Sequence, residues 1–136
     1  MFASTMGMGN CEAMPDVCKT PTPAGPVPIP YPNMASLAMA NPGTCAETVF
    51  IVNKPAATIQ TIITMSEGDE AGSAGGVISG VVSGPCQFML GSLVVMIEGC
   101  DAAYMGSIVG HNGEGSANMP MGAQISPSQT VVDVAP

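Results

Sequence analysis

The stretch Thr48-Val-Phe-Ile-Val-Asn-Lys-Pro-Ala-Ala-Thr-Ile-Gln-Thr-Ile-Ile63 reads as an apolar strand, a Pro-containing turn and a second apolar strand, a β-hairpin folded about Pro55-Ala56. Moved from position 48 to position 94, it falls on Val94-Val-Met-Ile-Glu-Gly-Cys-Asp-Ala-Ala-Tyr-Met-Gly-Ser-Ile-Val109. Val49/Val95, Ile51/Ile97, Ala56/Ala102, Ala57/Ala103 and Ile62/Ile108 then coincide. A unit of this length cannot bury its own apolar face, so it stacks on its copies.

Working outward, a third partial copy appears near the end, where Ser128-Gln-Thr-Val-Val-Asp-Val134 matches Ala46-Glu-Thr-Val-Phe-Ile-Val52. The copies open at Gly43-Thr-Cys, Gly84-Pro-Cys and Ser126-Pro-Ser, and the second carries a small insertion at Phe88 to Gly91. Gly-rich connections, Ser66 to Gly76 and Gly110 to Asn118, separate them. The expected fold is all-β: a small three-sided β-prism or cone built from residues 43–136, preceded by an arm and Pro-rich segment over residues 1–42, in a single domain of 136 residues.

Within residues 1–42, the first 18 show no helical or alternating period and read as an irregular arm. Pro26-Val-Pro-Ile-Pro-Tyr-Pro32 places a proline at every second position, which suits polyproline II or a sheet edge rather than a central strand. Ala35 to Ala40 has room for one helical turn before Asn41-Pro-Gly stops it.

The chain carries 17 Gly, 13 Pro and 12 Met, and a formal charge of -8. Lys19 and Lys54 are its only Lys or Arg residues, which gives no footprint for nucleic acid. No apolar run approaches the 18 or more residues of a membrane helix, and Met-Phe-Ala-Ser-Thr-Met-Gly lacks the basic and apolar regions of a secretory signal. Conventional export is not expected. High apolarity with few charges and no membrane segment predicts that part of the surface is covered by a partner. The Gly-rich loops lack the endings of phosphate-binding loops. Glu67, Asp69, Glu70 and Glu114, on those loops, read as solvated surface, so no catalytic residues are expected. The methionines read as adaptable core and interface packing.

Lys54-Pro-Ala-Ala-Thr58, its echo Cys100-Asp-Ala-Ala-Tyr104, and Cys18-Lys-Thr-Pro-Thr-Pro with Pro28-Ile-Pro-Tyr-Pro-Asn33 resemble the PAAR-like proteins, relatives of the repeat proteins that tip type VI secretion spikes. The Ile125 to Val132 run and the Gly68 to Gly80 region share the likeness, which covers nearly the whole chain. Thr58 and Tyr104 stand where the founding motif has Arg, which favours the PAAR-like branch. The resemblance implies a metal-tipped cone whose broad base docks on a homotrimeric spike, one cap per trimer. Such a cap sometimes carries effectors and meets a target membrane only during puncture. It would assemble in the bacterial cytoplasm and be delivered without a signal peptide. An adaptor recruiting a toxin, or a phage tail-tip protein, is the alternative.

Five cysteines in a cytosolically made protein point to metal ligands or buried thiols rather than disulfides. Folding the two hairpins brings Cys45, Cys86 and His111 to one end and leaves Cys100 at the other. Zinc with Cys45, Cys86, His111 and a fourth ligand from the arm, Cys18 first and Cys11 second, is the expected site.

Overall fold

The computed structural model describes residues 1–113 and 116–135; Glu114 lies outside them. The all-β expectation holds. Among the described residues there are ten strands and two single-turn 3₁₀ helices, Leu37–Met39, which stops before Asn41, and Pro42–Thr44, which Asn41 caps.

The residues expected to be an irregular arm instead form the longest strand. β1 (Asn10–Thr20) pairs antiparallel with β2 (Val27–Ser36), and a bulge between Ala13 and Asp16 shifts the register. On one side of the bulge Cys11 and Ala13 are buried, and on the other Asp16 and Cys18 are. The bulge thus breaks the alternation that would have betrayed a strand, at Met14-Pro15.

The Pro-rich segment is a sheet edge. The six-stranded sheet runs β2-β1-β10-β9-β6-β5, with β5 (Ile62–Ile63), β6 (Cys86–Phe88), β9 (Ile108–His111) and β10 (Met119–Gln124). Opposite Pro28 and Pro30, Lys19 and Val17 turn their backbone groups away from β2, towards Ala74, Gly75 and Val77. Pro28 and Pro30 therefore face outward, where a missing N–H breaks no ladder bond.

Two small hairpins stand apart from this sheet: β3 (Phe50–Ile51) with β4 (Lys54–Pro55), and β7 (Met96–Ile97) with β8 (Cys100–Asp101). They turn at Val52-Asn53 (φ 52° and 63°) and Glu98-Gly99 (φ 51° and 82°), not at Pro55-Ala56 or Asp101-Ala102. Two left-handed residues in a row give the turn twist that matches paired strands. The Ala-Ala pairs lie just beyond, where the chain runs inward.

There the three-sided geometry is explicit in the backbone. Ser4 N donates to Ala103 O (2.9 Å), Ala103 N to Ala57 O (3.0 Å) and Ala57 N to Ser4 O (2.9 Å), a closed cycle. Around it, Met6 N donates to Pro55 O, Ile59 N to Asp101 O and Met105 N to Phe2 O, at 2.8–3.1 Å. Ala56 N, Ala102 N and Ala3 N likewise donate to Val49 O, Val95 O and Val132 O. The third unit is thus divided between the two chain ends, with Phe2 to Met6 as its inner segment. Val132, not Val131, is the partner of Val49 and Val95. Ala56, Ala57, Ala102 and Ala103 are at most 1% exposed, because three backbones meeting this closely leave room only for small side chains, Ser4 being the third of the cycle.

Two apolar cores result. One, around Ala3, Ile51, Ala56, Ile97, Ala102 and Val134, underlies the hairpins; the other gathers Cys11, Leu37, Ile63, Cys86, Phe88 and Val109 beneath the large sheet. Of the methionines, expected in core and interface packing, Met6 packs against the core, while Met8, Met14, Met34, Met39, Met65, Met89, Met96 and Met121 are exposed.

Candidate functional site

Beyond the bulge, β1 places Asp16 and Cys18 on one face, as alternation in a strand requires. The 66–76 connection brings Asp69 against them. All three are fully buried, and their ligand atoms lie within 4.8 Å of one another. Cys18 Sγ is 3.7 Å from Asp16 Oδ1 and 3.6 Å from Asp69 Oδ2. Gly72 lets this approach occur, since a Cβ there would lie 2.3 Å from that of Cys18.

The surrounding donors are placed for carboxylates. Ser83 N and Oγ donate to Asp69 Oδ1 at 3.1 and 3.3 Å. Asn112 Nδ2 and Asn118 Nδ2 both donate to Asp16 Oδ1. Asp16 Oδ2 is buried with no hydrogen-bond partner.

Two carboxyls and a thiol without a cation cannot all ionise in such a site. Lys19 and Lys54 are both exposed. Burial first, then the neighbouring Asp16, pushes the Asp69 carboxyl up to about 6. Burial first, then the charges of Asp16 and Asp69, pushes the Cys18 thiol up to about 12. The cluster holds protons or a cation.

A metal ion fits. Zinc bonds of about 2.0 Å to oxygen and 2.3 Å to sulfur in a tetrahedron put neighbouring O and S ligands about 3.5 Å apart, close to the 3.6 Å between Asp69 Oδ2 and Cys18 Sγ. The orphaned Asp16 Oδ2 is one more donor atom in the buried set.

Of the expected tetrad, Cys86 and His111 meet at Asn33, while Cys18 and Cys45 lie elsewhere. Cys18 belongs to this cluster. Cys86, on β6, faces Asn33 Oδ1 at 3.9 Å, and burial raises its thiol to about 11. His111 Nδ1 is bonded to the same Asn33 oxygen at 2.7 Å. Its other side is closed by Gly122, where a Cβ would lie 2.4 Å from the ring. His111 Nε2 is buried and unpartnered, and burial lowers its pKa to about 4. Cys45 lies with Thr61 (Oγ1 at 4.0 Å) and lines a cavity of about 250 Å³ together with Cys100, so these two cysteines are not at opposite ends. Cys11 is buried in the core, its thiol raised to about 12. Among the described residues, the group that brings three ligand atoms together is Asp16, Cys18 and Asp69.

Asp69 contradicts the reading of the loop carboxylates as solvated surface, which Glu67 and Glu70 satisfy. Asp16-x-Cys18, a spacing that shares one strand face, was the signal for this site.

Away from the cluster's own contacts, the hairpins and the C-terminal segment leave Phe50 (60% exposed), Val94, Met96 (61%) and Val131 (74%) uncovered around the three-sided core. Among the described residues, no helix is long and apolar enough to cross a membrane.

Among curated proteins and among solved structures, none matches the chain. Residues 9–120 match the family model described as the Toxin PAAR-like domain. That span includes both hairpins, the first five strands of the large sheet and the whole Asp16–Cys18–Asp69 cluster, and the chain belongs to the PAAR-like family of spike-associated proteins.

Proposed function

We propose that the protein is a non-enzymatic cap that seats its three-sided base on the end of a homotrimeric spike of a contractile injection machine, with zinc held by Asp16, Cys18 and Asp69 at the far end. The observation that carries this reading is the closed cycle of Ser4, Ala57 and Ala103. It gives one chain three near-equivalent faces, each edged by exposed apolar side chains such as Phe50, Met96 and Val131. A trimeric partner has three equivalent faces to offer, so a single cap satisfies its symmetry. Exposed apolar surface of this kind marks an interface. Assembly in the bacterial cytoplasm and delivery with the spike belong to the proposal.

Zinc at the cluster would supply a positive charge that replaces protons on buried acids and cross-links β1 to the 66–76 connection, stabilising an end with little apolar core.

Co-expression of the cap with its spike tests the docking. The wild-type chain co-purifies, and Phe50→Asp with Met96→Asp abolishes co-purification while the circular dichroism spectrum is kept. Retention of the charged double variant on the spike would refute this face as the base. The family description as a toxin-associated domain favours a second reading, an adaptor that recruits a toxin. A stable toxin complex formed by a cap that does not bind the spike would favour it.

A further inference from the structure

We infer that Asn112 and Asn118 are positioning residues for the Asp16–Cys18–Asp69 cluster, and that through them a cation in the cluster orders the loop from Val77 to Gly84. The inference rests on the cation-binding reading above.

Four amides of this loop take their acceptors from side chains of the cluster and its two asparagines. Ile78 N and Ser79 N donate to Asn118 Oδ1 at 2.8 and 3.3 Å. Ser83 N donates to Asp69 Oδ1 at 3.1 Å, and Gly84 N to Asn112 Oδ1 at 2.8 Å. The opposite ends of both asparagines converge on one atom, Asp16 Oδ1. Asn118 Nδ2 also holds Val17 O at 2.8 Å, while Asn112 Nδ2 holds Val81 O at 2.9 Å and reaches Cys18 Sγ at 3.6 Å.

This divides the labour of Asp16. Oδ1 is committed to the two amides, which fix the orientation of the carboxylate, and Oδ2 is left buried and free for a ligand. Outer partners that orient a ligand govern metal affinity nearly as much as the ligand itself. The backbone is shaped to admit the asparagines. A Cβ on Gly76 would lie 2.4 Å from Asn118 Cγ, and one on Gly84 2.8 Å from Asn112 Oδ1. Asn112 itself sits at φ 55°, a conformation asparagine tolerates better than most residues.

In the absence of a cation, any charge on Asp16 and Asp69 drives them apart and loosens the loop amides tied to them. A cation draws the carboxylates together and tightens the same bonds. The coupling runs through buried side chains, so it reaches a loop that carries exposed Val77 and Ile78.

Zinc chloride titrated into the full chain, with a chromophoric chelator as competitor and amide hydrogen exchange as a second readout, tests this. Zinc is expected to slow exchange at Ile78, Ser79, Ser83 and Gly84 about tenfold or more, leaving Ala57 and Ala103 unchanged. Asn112→Ala and Asn118→Ala should each weaken zinc binding about 10–100-fold. Asn118→Ala should also reduce the slowing at Ser83, an amide Asn118 does not touch. Equal affinity in wild type and variants, or wild-type binding without slowed loop exchange, overturns the coupling and leaves the cation site standing. No saturable zinc binding by the wild-type chain overturns both. If a variant fails to fold, the wild-type exchange measurement decides.

Discussion

His111 is buried against Asn33 and Gly122, and desolvation lowers its pKa from 6.5 to about 4. Neutral imidazole is therefore the folded form, and its contribution is full above pH 6.5 and lost as pH falls towards 4. Asp69 acts in the opposite sense. With a pKa raised from 3.8 to about 6, its contribution is present at low pH and lost as pH rises through 6. The two oppose each other between about pH 4 and 6. Asp69→Asn removes the second, so the metal-free variant should lose stability steadily from pH 6.5 to 4, by roughly 2–3 kcal/mol, against a flatter wild-type profile. Thermal melts across that range check it, and equal slopes would contradict the assignment. A complementary outcome is expected by elemental analysis: one zinc per wild-type chain, and none with Cys18→Ala, while Cys45→Ala keeps the metal. Cys18 was picked out from the sequence as one of five cysteines, and the structure places it in the cluster. Asp16 and Asp69 were not, since one follows a proline at a bulge and the other sits among glycines and glutamates that are in fact exposed.

The edge strand β2 shows what the alternating prolines accomplish. Pro28 and Pro30 point their donor-less nitrogens outward, so the edge offers acceptors but few donors to an incoming strand. Pro30→Val restores a donor without touching the β1 ladder. Its expected effect is a melting temperature close to wild type with increased self-association by analytical ultracentrifugation; unchanged monomer behaviour would count against edge protection. The hairpin β3–β4 carries strain, because Val52 is β-branched and held at φ 52°. Val52→Asn should stabilise the isolated cap by about 1 kcal/mol in urea unfolding, and weaken spike binding if the exposed valine contacts the partner. The sheet edge and the recurring hairpins were readable from proline spacing and repeated apolar residues. β1 was hidden because its bulge shifts the buried positions from Cys11 and Ala13 to Asp16 and Cys18. The hairpin turns were misplaced by three residues, since Val52 gives no sign of a left-handed turn.

At the scale of the molecule, the backbone cycle through Ser4, Ala57 and Ala103 holds the three units together. Ala103 is 1% exposed, so Ala103→Val should cost about 1–3 kcal/mol by overpacking, more than the same change at an exposed site. The repeat was legible twice in full and once in part. The missing inner half of the third unit is Phe2 to Met6, over a hundred residues from Val132, and no local period can join segments at opposite ends of a chain. The hydrogen bonds do join them, and the three-sided base they complete is what the proposed function depends on. Native mass spectrometry of the cap purified with its spike measures this most directly. One cap per spike trimer is the predicted mass; three caps per trimer, or no complex at all, would contradict the account.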